Sequence, residues 1–237
     1  MTNVKICGLT TLEDAHHAVD LGAWAIGLIF DRESPRSGEL ETAEAIGAAL
    51  RRRTLVTGVF VNAPLDEVAL AADRCSLGMV QLHGDEGPAY CREVARRTGC
   101  KVMKAARVRD AAAIRALEPF RVDYHLLDAH AAGRRGGTGE TFAWELAASR
   151  PGATPLVLSG GLTADNVAAG IQATRPFAVD TASGTEAAPG RKDPRKLQAF
   201  FRAVAAADAA AAPDVPPAEG EGEPQAAEAV EPAEARS

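Results

Sequence analysis

Val4-Lys5-Ile6-Cys7-Gly8-Leu9-Thr10 opens the chain with a short β-rich run that ends in a thiol followed at once by glycine. Seven later runs repeat the form, over residues 25–30, 55–61, 79–83, 101–105, 124–128, 156–159 and 177–181. Several are nearly continuous in apolar residues, as strands buried on both faces of a parallel sheet are. Amphipathic or Ala-rich segments separate them, over residues 12–21, 43–53, 65–74, 88–97, 111–117, 144–148, 166–174 and 194–207. Thr11 or Thr10 is placed to cap the first, with Glu13 and Asp14 at its positive end. Eight βα units within about 205 residues predict a single (β/α)8 TIM barrel. The alternative is a doubly wound open sheet, but no G-x-G-x-x-G follows the first run.

The expected organisation is a barrel domain over residues 1–207 and a disordered acidic tail over 208–237. From Asp208 onward eight acids face one base, so the tail carries −7 of a total of −6 and the barrel is left near +1. The tail is Ala, Pro and Glu with almost no large apolar side chain, too little to offset the entropy of ordering. A near-neutral body argues against a nucleic-acid partner. No apolar run is long enough to span a bilayer, which argues against a membrane partner. Cys7, Cys75, Cys91 and Cys100 form no C-x-x-C pair and fit no zinc spacing. Free thiols, and an N-terminus without the pattern of a secretion signal, point to the cytoplasm.

In a barrel the reactive groups sit at the C-terminal strand ends, and side chains alternate inward and outward. If Cys7 faces inward, so does Lys5, while Val4 and Ile6 face the helices. By the same period Gln81 and His83 share a face, as do Leu126 and Asp128, and Ala178 and Asp180. Cys7, His83, Asp128, Ser159 and Asp180 then converge at one mouth. Polar groups brought together there are costly unless solvated or paired, which argues for function. Cys7 suits a base or a nucleophile, and Asp128 suits chemistry by its strand-end place. His83 and Asp180 are expected to touch substrate, although orienting or capping a loop would explain each.

Two glycine-bearing stretches follow the seventh and eighth runs: Ser159-Gly160-Gly161-Leu162-Thr163, and Asp180-Thr181-Ala182-Ser183-Gly184-Thr185-Glu186. Barrel enzymes often bind phosphate between those two loops, with backbone N–H groups and a short extra helix. Gly160, Gly161, Ser183 and Gly184 are therefore the candidate phosphate grip, and the ligand is a small phosphorylated molecule. Gly133-Arg134-Arg135-Gly136-Gly137-Thr138-Gly139 is expected to form a mobile loop over the mouth.

Taken in order, Val4–Thr10, Gly58-Val59-Phe60-Val61-Asn62, Val80-Gln81-Leu82-His83-Gly84, Leu127-Asp128, Gly136–Gly139, Leu158–Leu162 and the stretch from Val179-Asp180 through Lys192-Asp193 resemble phosphoribosylanthranilate isomerases of tryptophan biosynthesis. The resemblance runs from about residue 3 to 205. It implies that Cys7 is the catalytic base, Asp128 the catalytic general acid, and Arg36, in Ser34-Pro35-Arg36, the partner of the anthranilate carboxylate. The implied reaction is an Amadori rearrangement that needs no metal, hydride carrier or ATP. Asp128 protonates the ring oxygen, an iminium forms at C1′, and Cys7 thiolate removes the C2′ proton. Lys5 is a candidate source of the positive charge that a thiolate needs. The resemblance allows a monomer or a homodimer. A metal-dependent epimerase would need a His and Asp set that the five histidines do not supply. A dual-substrate isomerase is expected to carry an aspartate where Cys7 stands. A catalytically silent phosphate-binding protein would have no need of both Cys7 and Asp128.

Overall fold

The computed structural model describes residues 1–108, 110–128, 144–148 and 152–211. The eight β-rich runs form β1 (Asn3–Cys7), β2 (Ala25–Ile29), β3 (Leu55–Phe60), β4 (Met79–Leu82), β5 (Lys101–Arg107), β6 (Tyr124–Asp128), β7 (Leu156–Ser159) and β8 (Ala178–Thr181). They pair in parallel in chain order, and β1 closes on β8, so the sheet is a closed barrel with no open edge. Around it lie α1 (Leu12–Asp20), α2 (Leu40–Leu50), α3 (Leu65–Arg74), α4 (Pro88–Thr98), α5 (Ala111–Arg115), α6 (residues 144–148), α7 (Val167–Thr174) and α8 (Pro194–Ala211).

The period of two divides the core as the sequence predicts. Ala25, Met79, Met103, Leu126, Val157 and Ala178 fill the barrel interior as one cluster. Val4, Ile6, Val80, Leu82, Val102 and Val179 face the other way and pack with helix residues such as Val68, Val94, Val167 and Phe200. The N-terminal end of the barrel is closed by Trp24, Tyr124 and Phe177, whose ring centroids lie 5.1–5.4 Å apart. The opposite end is left for chemistry.

Several boundaries differ from the sequence reading. Thr11 is the cap of α1: its hydroxyl accepts the backbone N–H of Asp14. α2 begins three residues earlier than expected, at Leu40, and residues 51–53 turn into β3 instead of continuing the helix. β5 runs on to Arg107 because Ala106 and Arg107 pair with Leu127 and Asp128. Residues 182–193, where the sequence predicts a short extra helix opening at Ser183, contain a 3-10 turn (Ser183–Thr185) and a small hairpin of β9 (Glu186–Ala188) and β10 (Arg191–Lys192).

The boundary of the tail needs a correction. α8 continues through Ala211, four residues into the segment expected to be disordered. Alanines favour the helix there, and Val204 and Ala207 are buried against the core. Asp208 is tied down as well, accepting from the backbone N–H of Thr2 at 2.5 Å and from its hydroxyl at 2.7 Å. Residues 212–237 and the glycine-rich segment 133–139 lie outside the described residues. No described helix is long and apolar enough to cross a membrane.

Candidate active site

Register places the polar groups. Lys5 lies beside Asp180 across the β1–β8 seam, and Asp128 lies beside Ser159 on β6 and β7. Lys5 is fully buried, and its Nζ donates to Asp180 Oδ1 at 2.7 Å. Ser159 Oγ donates to the other carboxylate oxygen at 2.9 Å. Burial pulls the Lys5 pKa down, but Asp180 and then Cys7 outweigh it and hold the pKa above the ordinary lysine value. Lys5 is therefore a fixed cation beneath the thiol.

That cation is not enough to bring the Cys7 pKa below its ordinary value. Burial pushes the thiol pKa up; Lys5 pulls it down, Asp180 pushes it up again, and Lys192 pulls it down. The net direction is upward. Burial is the largest cause, and the Asp180 carboxylate adds to it by offsetting part of the pull of Lys5. The expectation that Lys5 assists the thiolate holds in sign, and burial exceeds it in size.

His83 stands at the end of β4 with Nε2 at 4.0 Å from Asp128 Oδ2. Gln81, two residues deeper on the same face, places its side-chain nitrogen 2.9 Å from His83 Nδ1. With that amide as the donor, the neutral ring carries its hydrogen on Nε2, facing Asp128. Burial lowers the His83 pKa against the opposing pull of Asp128 and Asp180, so the ring is neutral near pH 7. The loop after β4 is fastened from outside the barrel. Lys104 Nζ donates to the carbonyls of Leu82 and Gly84, and pairs with Glu86 at 2.9 Å.

The two glycine loops meet over the same mouth. Gly160 and Gly161 have φ of +105° and +68°, a region in which a side chain is strained. A Cβ on Gly184 would stand 1.9 Å from the carbonyl oxygen of Leu162, so only glycine allows the loops after β7 and β8 to approach this closely. Thr181 closes the contact by donating its hydroxyl to that same carbonyl at 2.7 Å. The extra helix expected at Ser183 is a single 3-10 turn that passes directly into β9.

Cys7, Arg36, Gln81, His83, Asp128, Ser159, Gly160, Gly161, Asp180 and Ser183 line one cavity of about 330 Å³ at the C-terminal mouth. The side chains expected to converge thus do so. A larger cleft, of about 520 Å³, opens between the loops after β3 and β4 and the α5 region. Among the described residues it shares only His83 with the mouth, and its buried ions Lys104 and Glu86 are spent on each other and on loop backbone.

Three parts of the site were not anticipated. Gln81 was read only as sharing a face with His83, although its spacing of two from His83 carried the signal. Arg36, expected at a substrate carboxylate, also grips Glu186 with its fork, with Nε and an Nη at 2.8 Å from the two carboxylate oxygens. Lys192 is buried, and its Nζ donates to the carbonyls of Cys7 at 2.7 Å and Ala182 at 2.9 Å. A lone lysine in a segment read as loop is ordinarily solvated, so nothing in its spacing gave this away.

The family model for N-(5'-phosphoribosyl)anthranilate (PRA) isomerase matches residues 4–203. The chain is 50% identical over 198 residues to the N-(5'-phosphoribosyl)anthranilate isomerase of Citrifermentans bemidjiense, covering 84% of this chain and 94% of the relative. It is 48% identical to that of Pelobacter propionicus, covering 85% and 95%. Among solved structures, the phosphoribosyl anthranilate isomerase of Thermotoga maritima superposes with a TM-score of 0.77 at 40% identity, over 87% of this chain and all of that one. A phosphoribosyl anthranilate isomerase in complex with reduced 1-(o-carboxyphenylamino)-1-deoxyribulose 5-phosphate superposes at 0.75 with 37% identity, over 87% and 100%. A thiamine phosphate pyrophosphorylase from Pyrococcus furiosus shares the fold, with a TM-score of 0.63 at 17% identity over 86% and 96%. The eightfold register, the thiol and carboxylate lining one cavity and the match across nearly the whole barrel agree: the chain belongs to the N-(5'-phosphoribosyl)anthranilate isomerase family.

Proposed function

We propose that this chain isomerises N-(5'-phosphoribosyl)anthranilate to 1-(2-carboxyphenylamino)-1-deoxyribulose 5-phosphate, with Cys7 as base and Asp128 as acid. The observation that carries the reading is the single cavity that Cys7, Asp128, Arg36 and both glycine loops share. Such a substrate has a phosphate at one end and an aromatic carboxylate at the other. The backbone at Gly160, Gly161, Ser183 and Gly184 suits the phosphate. The guanidinium of Arg36 suits the carboxylate, through the edge that Glu186 leaves open. His83 and Asp180 then flank the ribose between them.

The steps follow from the charges. Asp128 gives its proton to the ribose ring oxygen, the ring opens, and an iminium forms at C1′. The carboxylate left on Asp128 gains from the Nε2–H that His83 aims at it. The iminium makes the C2′ hydrogen acidic and places a positive charge near Cys7. An opposite charge close by favours the thiolate, which offsets the upward push that burial gives the thiol. Cys7 takes the C2′ proton, and the enolamine relaxes to the ketone.

The test is turnover of N-(5'-phosphoribosyl)anthranilate, followed by loss of anthranilate-type fluorescence, in the wild type and in Asp128→Asn. The wild type is expected to turn over. The variant is expected to lose about 10²-fold or more in kcat, the ordinary worth of a general acid. A silent wild type would refute the activity, and an unimpaired variant would remove Asp128 from the acid role.

A further inference from the structure

Glu186, the partner that Arg36 holds, has no part in the chemistry above, yet it is built in with care. Glu186 is 6% exposed, at the start of β9. Its Oε1 accepts from Arg36 Nε at 2.8 Å, and its Oε2 accepts from an Arg36 Nη, also at 2.8 Å, a two-pronged contact that fixes the guanidinium plane. Oε1 also accepts from Lys192 Nζ at 3.2 Å and from the backbone N–H of Gly190 at 3.3 Å. Burial would raise the Glu186 pKa, but Arg36 and Lys192 together bring it below the ordinary value, so the group is an anion. On the other side of the arginine, Gly8 leaves room for its stem, since a Cβ there would stand 2.7 Å from Arg36 Cδ. The arginine is thus confined between the residue that follows Cys7 and a buried carboxylate.

We propose that Glu186 is a positioning residue for substrate recognition: it takes the Nε edge of Arg36 and thereby aims the remaining guanidinium edge at the substrate carboxylate. This rests on the reading of Arg36 given above. Two opposed effects decide the sign. The Glu186 charge partly neutralises Arg36, which weakens its pull on a substrate anion. Fixing the long side chain beforehand removes the cost of ordering it during binding. The Arg36 side chain is 23% exposed at the cavity, where solvent screens the first effect, whereas the second is felt whatever the screening. Aim therefore outweighs neutralisation. Lys192 carries the same anchor onward, since its Nζ also holds the carbonyl of Cys7. One buried carboxylate thus ties the arginine that reads the substrate to the strand end that bears the base.

The experiment is a double-mutant cycle on KM and kcat with Glu186→Gln, Arg36→Ala and the pair. Glu186→Gln keeps the shape and removes the charge; it is expected to raise KM about 5- to 10-fold with kcat within about 2-fold. Arg36→Ala is expected to raise KM further. Adding Glu186→Gln to Arg36→Ala is expected to change KM no more, because the arginine through which Glu186 acts is gone. Glu186→Asp, which retains the charge with a shorter reach, is expected to fall between wild type and Gln, and keeps the comparison available if Gln disturbs folding. An unchanged or lowered KM in Glu186→Gln overturns the proposal, as do KM effects that multiply independently in the pair. If Arg36→Ala itself leaves KM unaltered, the reading of Arg36 fails and the proposal with it, a result distinct from failure at Glu186 alone.

Discussion

The thiol at the end of β1 sits in an environment that works against its charge. Cys7 is 6% exposed, and the cation beneath it is shared with a carboxylate. Its folded pKa lies above the ordinary 9.0, so the thiolate is a minor form near pH 7 until substrate arrives. Thiolate absorbance, taken as the difference between wild type and Cys7→Ser, is expected to rise with a midpoint above 9.0. Asp180→Asn is expected to move that midpoint down, because it removes an anion that pushes the thiol pKa up. A wild-type midpoint at or below 9.0, or an upward move in Asp180→Asn, would contradict this account. Period-two alternation made Lys5 legible as a neighbour of Cys7. The partner of Lys5 was harder to read, since Asp180 lies 175 residues away and meets it only when β8 closes on β1.

At the scale of elements, the loops after β7 and β8 form the proposed phosphate grip, and a carbonyl holds them together. Leu162 offers its oxygen to Thr181, and Gly184 has no side chain to obstruct the approach. Gly184→Ala forces a Cβ to within 1.9 Å of that oxygen unless the loops part. The expected result is a rise in KM together with a fall in Tm of roughly 3–10 °C, from overpacking of about 1–3 kcal/mol. Retention of both values would show that the loops do not depend on this contact. The strands and most helices were legible because burial on both faces and amphipathic spacing recur eight times. The β9–β10 hairpin was not legible. Its strands are three and two residues long, below the length at which alternation can be seen, and its purpose is tertiary: it brings Glu186 and Lys192 under the mouth.

For the whole molecule, barrel closure depends on the first and last strands of the barrel meeting. β1 pairs with β8, and Asp208 on α8 accepts both the backbone N–H and the hydroxyl of Thr2. Composition alone put residue 208 in a disordered tail, because a run of Ala with a single acid gives no sign of a partner 206 residues away. Asp208→Ala is expected to lower Tm by about 2–6 °C, from about 1–2 kcal/mol of partly exposed hydrogen bonding, with kcat unchanged. A Tm equal to wild type would show that the contact adds nothing to closure. The same closure brings Cys7 on β1 and Asp128 on β6 to one cavity from opposite parts of the sequence. Their pairing as base and acid is the central claim, and kcat of Cys7→Ser on N-(5'-phosphoribosyl)anthranilate tests it most directly. A serine hydroxyl keeps the size and is a far weaker base, so kcat is predicted to fall by about 10²- to 10⁴-fold with KM and Tm close to wild type; turnover near the wild-type rate would contradict the account.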